Sequence, residues 1–187
     1  MNIADIFGDL PVLGTKRLIL RKMRLDDAHD VFEYASDPEV ANYVTWDAHE
    51  NIEDSRRFLQ SIIQHYENKE VASWGVVFRD NNKFIGTCGF MWWLPGDARA
   101  EIGYAMSRQY WGKGLMTEAV REVISFGFER MMLNRIEAQC MAQNIGSERV
   151  MQKNGMTIEG IRREATFRKG AYHDLKIYSI LKKEYDL

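Results

Sequence analysis

Apolar and basic residues alternate over residues 15–23, with Leu18 and Leu20 on one side, as in a half-buried strand. The spacing then changes. After Asp26 and Asp27, residues Ala28, Val31, Phe32 and Ala35 recur at helical intervals, with the two acids at the positive end of the helix dipole. Asp37-Pro38 is expected to end that helix. A second is expected to start near Asp47, with Glu50 as its capping partner, and to carry Ile52, Phe58, Leu59, Ile62 and Ile63. Residues 71–79 and 83–92 read as strands joined by the turn Asp80-Asn81-Asn82, and residues 100–106 as a third, which makes an antiparallel meander. Residues 115–132 carry the strongest helical pattern. Leu115, Ala119, Val123 and Phe126 lie along one side, and Glu118, Arg121, Glu122, Ser125 and Glu129 along the other. A strand over 135–141 and a short helix over 144–154 follow, the helix capped by Asn144 and stopped by Gly155. Strands over 157–162 and 175–181 finish the chain. The order β-α-α-β-β-β-α-β-α-β-β predicts an α+β domain: a mixed, mostly antiparallel twisted sheet of about six to seven strands flanked by about four helices.

Composition narrows the function. The chain has 187 residues, of which 45% are hydrophobic and 28% charged, enough for one packed core and too apolar for disorder. No linker or repeat interrupts it, so residues 1–187 read as a single domain. Its 25 Lys+Arg against 27 Asp+Glu argue against direct nucleic-acid binding. Cys88 and Cys140 lie in apolar runs and have neither a disulfide framework nor metal-ligand spacing, and the four histidines show no ligand pattern, so no metal is expected. The first three histidines, His29, His49 and His65, read as helix-surface residues. The opening MNIADIFGDL is no signal peptide, and the apolar run from Phe90 to Leu94 is too short to span a bilayer, so no membrane role and a reducing cytoplasm are expected.

The chemistry concentrates in residues 101–119, EIGYAMSRQYWGKGLMTEA, which read as strand, glycine-containing turn and helix. Gly112 and Gly114 allow close approach of backbone N–H groups. The helix behind them directs its unsatisfied amides and positive dipole end to the same place, and Lys113 adds a charge. This is an anion site suited to a pyrophosphate, although a plain tight turn would also use two glycines. Neither G-x-x-x-x-G-K-[ST] nor G-x-G-x-x-G fits.

The wider pattern resembles the GNAT N-acetyltransferases, in which Q-x-x-G-x-G after a strand (here Gln109 to Gly114) holds the pyrophosphate of acetyl-CoA. The resemblance continues through Arg135-Ile136-Glu137-Ala138, N-x-x-S at Asn144 and Ser147, and Lys153-Asn154-Gly155-Met156. It is closest to the branch of ribosomal-protein N-terminal acetyltransferases, through T-x-R-L-x-L-R (residues 15–21), I-G-T-C-G (85–89), E-I-G-Y (101–104) and W-G-K-G-x-x-T-E-A (111–119). It implies the GNAT fold and acetyl-CoA as co-substrate. The pantetheine arm would pair with the backbone of Tyr104, Ala105 and Met106, and Gln109, Trp111, Gly112, Lys113, Gly114 and Leu115 would surround the pyrophosphate. Asn144 and Ser147 would lie along the same arm.

Transfer to an amine needs a donor at the developing oxyanion, which the resemblance assigns to the Met106 amide, and a neutral amine. An α-amine near pKa 8 deprotonates more readily than a lysine, so a protein N-terminus is the leading acceptor and a small amine the alternative. A non-catalytic CoA-binding module is a third reading. Glu101 and Glu137 are candidate bases, with ion pairing as the plainer role of each. Ser147 is implied as a hydrogen-bond donor to the departing sulfur. The family's usual acid, a tyrosine, aligns with Met151, which cannot donate a proton; Tyr104 and Tyr110 lie nearby in sequence. Asp47, Glu50, Glu53 and Asp54 either attract a cationic acceptor or simply match a helix dipole. Trp46, Trp92 and Trp93 fit a peptide groove, the core or a homodimer contact, and His173-Asp174 a late turn near the acceptor groove.

Overall fold

A single eight-stranded sheet organises residues 2–185, the part of the chain described by the computed structural model. Its strands are β1 (Leu13–Gly14), β2 (Leu18–Arg21), β3 (Ser73–Phe78), β4 (Lys83–Leu94), β5 (Arg99–Met106), β6 (Arg135–Met141), β7 (Thr157–Arg168) and β8 (Ala171–Leu181). They lie in the order β1-β2-β3-β4-β5-β6-β8-β7, and every neighbouring pair is antiparallel except β5 and β6. The helices are α1 (Ile3–Phe7), α2 (Ala28–Ala35), α3 (Pro38–Ala41), α4 (Ile52–Glu67), α5 (Leu115–Glu129), α6 (Ile145–Lys153) and α7 (Lys182–Tyr185). The expected order is present. The two-residue β1 and the short α1, α3 and α7 are additions, and each is too brief to carry a periodic signal.

The core has two layers, one on each face of the sheet. On one face α5 buries Leu115, Ala119, Val123 and Phe126, the stripe read from its spacing, and Phe126 meets Trp74 edge-on at 5.3 Å. On the other face α2 lays Tyr34 over Phe84 of β4, with ring centroids 6.2 Å apart. Neighbouring residues of one strand face opposite layers: Ile136 of β6 lies against Gly127 of α5, whereas Glu137 and Gln139 point away from α5.

Several boundaries refine the sequence reading. α2 ends at Ala35, just before Asp37-Pro38 as read, but Pro38 also opens the short α3 from its first turn, where its missing N–H is harmless, while Asp37 caps the Glu39 amide. α4 begins five residues after Asp47, because Asn51 and Asp54 form the capping box in place of Glu50. β7 and β8 run on to a turn at Lys169 (φ 50°) and Gly170 (φ 79°), well past the strand ends read from hydropathy, because their outer halves are exposed and carry no alternation. His49 sits in the loop before α4, not on a helix, and its Nδ1 lies 2.8 Å from the buried Ser55 hydroxyl.

Two acids of the cluster at the start of α4 are satisfied locally. Asp54 accepts the amides of Glu50 and Asn51 and pairs with Arg57, and Glu53 pairs with Arg56. These two acids match the helix dipole. Trp93 is buried in the core and Trp46 packs against it, edge-on to Tyr34. Both cysteines are buried and unpaired. Among the described residues, no helix is long and apolar enough to cross a membrane and no cluster of three metal-ligating side chains occurs.

Candidate active site

The parallel strands β5 and β6 pair only at Arg99–Arg135, Ala100–Ile136 and Glu101–Glu137. Beyond that point β5 stays on β4 as far as Met106, and β6 follows β8 as far as Met141. The two inner edges part into a wedge that widens toward the strands' carboxyl ends. The Ser107 amide donates to the Ile85 carbonyl of β4 at 2.8 Å. Backbone groups of successive residues alternate in direction along such a ladder, so those of Met106 and Tyr104 are aimed into the wedge. The Met106 carbonyl accepts the Trp111 indole N–H at 2.7 Å, which holds the chain turn that follows.

That turn leads into α5 through Gly112 (φ 72°) and Gly114 (φ 73°), both in the left-handed region that favours glycine. A Cβ built on Gly112 would meet nothing within 4 Å, so the surface above it is open. Gly114 is the N-cap of α5, and no side chain caps it. The first-turn amides and the positive end of a 15-residue helix are therefore offered outward, which suits a phosphate. Lys113 sits 5.2 Å above the Tyr110 ring at the same turn. Gln109 turns away, its Nε2 donating to Glu33 of α2 at 3.1 Å.

Sequence reasoning missed what holds this loop. Glu118, one turn into α5, accepts the Thr15 hydroxyl, the Arg17 amide at 2.9 Å and the Arg17 Nε at 2.7 Å. Arg17 also donates from Nη1 to the Lys113 carbonyl at 3.0 Å. Burial alone would raise the Glu118 pKa, but these donors outweigh it and hold the carboxyl below its usual range. The signal lay in two separate motifs, one at residues 15–21 and one at 111–119, which the fold brings into contact.

The two glutamates at the vertex of the wedge differ. Glu101 Oε2 accepts Trp92 Nε1 at 3.1 Å, and its Oε1 accepts Gln139 Nε2 at 3.0 Å. Burial raises its pKa, the nearby Glu137 charge adds to the rise, and the two neutral donors offset only part of it. Glu137 instead accepts Arg135 Nε at 2.9 Å and Arg99 Nη1 at 3.4 Å. Arg135 continues to Glu159 through a two-pronged ion pair. A hollow of about 490 Å³ on this face is lined by these four paired charges together with Arg162. Trp92 and Gln139, the partners of Glu101, carry no motif of their own and were not foreseen in that role.

Across the wedge, the Tyr104 hydroxyl lies 2.9 Å from Ser147 Oγ and donates to the Ser147 carbonyl at 3.1 Å. Asn144 caps α6, its Oδ1 accepting the Ser147 amide at 3.0 Å. Burial pushes the Tyr104 phenol up, and the Ser147 hydrogen bond only partly opposes it. Met151 is fully buried on α6. Tyr110 accepts Asn81 Nδ2 at 3.1 Å and packs on Phe78.

The family model described as an acetyltransferase (GNAT) domain matches residues 17–157. An uncharacterized N-acetyltransferase of Bacillus licheniformis, p20, is 36% identical over 176 residues, covering 94% of this chain and 99% of that protein. The crystal structure of a GNAT-family acetyltransferase from Bacillus anthracis is 30% identical, with a TM-score of 0.83 over 93% of this chain and 100% of that one. RimL, a ribosomal L7/L12 alpha-N-protein acetyltransferase solved in complex with coenzyme A, has a TM-score of 0.82 at 20% identity, over 91% of this chain and 98% of its own; at that identity the likeness is one of fold. The wedge, the uncapped helix start and these matches agree: this chain belongs to the GNAT acetyltransferase family.

Proposed function

We propose that this enzyme transfers the acetyl group of acetyl-CoA to a protein N-terminal α-amine, such as that of a ribosomal protein, by direct attack in a ternary complex. The observation that carries the reading is the wedge between β5 and β6, with the Met106 amide aimed into it and the uncapped start of α5 beside it. The open, left-handed turn at Gly112 and Gly114 fits a pyrophosphate, and the free inner edge of β5 fits an amide-bearing arm. Bound acetyl-CoA supplies a thioester carbonyl open to attack.

The chain's own residues do the rest. The Met106 amide donates to the carbonyl oxygen as negative charge develops there. Glu101, poised by burial above the ordinary carboxylate range, takes a proton from the incoming amine through water; an α-amine near pKa 8 asks less of it than a lysine would. Glu137 is committed to Arg135 and Arg99 and serves to hold the vertex of the wedge. With Met151 buried in the tyrosine's place, the Ser147 hydroxyl, held by Tyr104, is the donor for the departing thiolate. Gln109 ties the loop to α2. Two unpaired, buried cysteines suit the cytoplasm, where such acceptors are made.

The acceptor reading is supported by the activity of RimL, a ribosomal L7/L12 alpha-N-protein acetyltransferase, and by the shared motifs. It is tested by incubating the protein with labelled acetyl-CoA and panels of N-terminal peptides, lysine peptides and small amines, read by mass spectrometry. The α-amines of peptides are expected to be labelled. Labelling confined to small amines would overturn the acceptor, and labelling of none would overturn the activity.

A further inference from the structure

A second hollow, of about 360 Å³, lies at the wide end of the wedge. Its floor is Met141, the last residue of β6, with Gln143 beside it; Asn42 and Tyr43 form one wall, and Arg168, Lys169 and His173 form the other. It opens on the α2 side of the sheet, since α3 and residues 42–43 continue the chain directly from α2. The turn at Gly112 and Gly114 opens α5 on the opposite side. A donor seated on that turn fills the wedge from one face and leaves this hollow as the way in from the other.

The hairpin of β7 and β8 is bent to make the hollow. Its register breaks between Arg162 and Thr166, where Glu164 takes φ 48° and donates its amide to Asp174 Oδ1 at 2.7 Å. This bulge swings the distal half toward α3. There the Lys169 ammonium donates to the Ala41 carbonyl at 2.7 Å, and the Ala142 amide donates to the Asp174 carbonyl at 2.9 Å. The turn itself has two left-handed residues, a geometry that favours asparagine at the first position; lysine stands there instead and brings a charge.

The charges on this lip are unbalanced. Among the described residues no carboxylate pairs with Arg168 or Lys169, and no acid lines the hollow. Of the two nearest acids in sequence, Glu164 and Asp174, neither forms an ion pair with Arg168 or Lys169, and Asp174 accepts the Glu164 amide. Elsewhere on this sheet face Arg99 and Arg135 are paired with Glu137 and Glu159.

We propose that this hollow is an acceptor subsite that selects amines carrying a negative group near the reacting nitrogen. Arg168 and Lys169 receive that carboxylate, with the His173 ring and Tyr43 beside it. The proposal rests on the acetyltransfer reading and adds its charge preference. The same chemistry is offered by an acidic side chain near a protein N-terminus and by the α-carboxylate of a free amino acid.

The test compares amidated peptides Ala-Glu-Glu-Ala-Gly, Ala-Gln-Gln-Ala-Gly and Ala-Lys-Lys-Ala-Gly, together with free alanine and glutamate, as acceptors. Binding of the same compounds to the coenzyme A-loaded protein is measured by calorimetry. The acidic peptide is expected to exceed the neutral one about fivefold to tenfold in kcat/KM and the basic one by more, with the advantage shrinking at high salt. R168Q, and separately K169Q, should flatten that ranking while leaving the KM for acetyl-CoA in place. If free amino acids outpace all peptides, the carboxylate received is the α-carboxylate, and the subsite stands with a small acceptor. Equal rates across the peptides, or an unchanged ranking in R168Q, would overturn the subsite and leave acetyltransfer intact. Preferential binding of the acidic peptide without turnover would sustain the subsite and overturn acetyltransfer.

Discussion

Arg17 and Glu118 meet across the molecule at 2.7 Å, and the same guanidinium reaches on to the Lys113 carbonyl at 3.0 Å. A residue at the entrance to the second strand thus fixes the glycine turn that opens α5. The pair is partly exposed, so its interest is positional more than energetic. Replacing Glu118 by alanine frees the turn without touching the wedge. E118A is expected to raise the KM for acetyl-CoA roughly threefold to tenfold with kcat little changed, and R17A to do the same. Steady-state kinetics at saturating acceptor check this; a fall in kcat alone would count against it.

Glu101 makes a sharper prediction. E101Q keeps an acceptor for the Trp92 indole but has no base, and kcat should fall about a hundredfold or more with the fold retained. Burial raises the carboxyl's pKa, so in the wild type the rate should climb as pH rises through a value above the ordinary carboxylate range. In E101Q that limb should vanish and leave only the titration of the amine. Circular dichroism and a pH–rate profile of both proteins decide the matter. E137Q should instead show a loss of stability, because it leaves Arg99 and Arg135 without their shared carboxylate.

The glycine turn can be tested by strain. G114A forces an alanine to φ 73°, which disfavours it by about 1–2 kcal/mol. The expected outcome is weaker acetyl-CoA binding with a drop of a few degrees in Tm, measured by calorimetry and thermal melts.

Acid stability should report on the far side of the sheet. The Arg135 guanidinium and the Ser179 hydroxyl hold the Glu159 carboxyl down to about 2, from an ordinary 4.5. The folded state therefore favours the ionised form. Its contribution is full above the ordinary value and is lost as pH falls from about 4.5 toward about 2. Denaturant midpoints of wild type and E159Q across that range should converge at the acid end.

Much of this was readable in advance. The stripe along α5, the meander and the glycine turn ahead of α5 follow from periodicities of 3.6 and 2 and from two glycines next to a helix start. The parts that were not readable depend on distance in sequence. Nothing near Glu101 says that Trp92 and Gln139 will hold it, and nothing near Glu137 says that two arginines will claim it. The acids at the start of α4 could be read two ways, because sequence cannot show that Asp54 and Glu53 turn back on their own backbone and arginines. The hairpin tip was unreadable as strand because both its faces meet water.

The bulge around Glu164 has one more effect. β7 is an edge strand of the sheet, is 12 residues long and carries exposed Ile158, Ile161 and Phe167. A straight, greasy border of that length would be a template for another chain's backbone, and so a seed for aggregation. A left-handed residue in mid-strand, next to Arg162 and Arg163, breaks the border into two short lengths that no regular partner can follow. The kink that shapes the hollow therefore also guards the molecule's solubility, and a variant that straightened it would be expected to precipitate before it lost its fold.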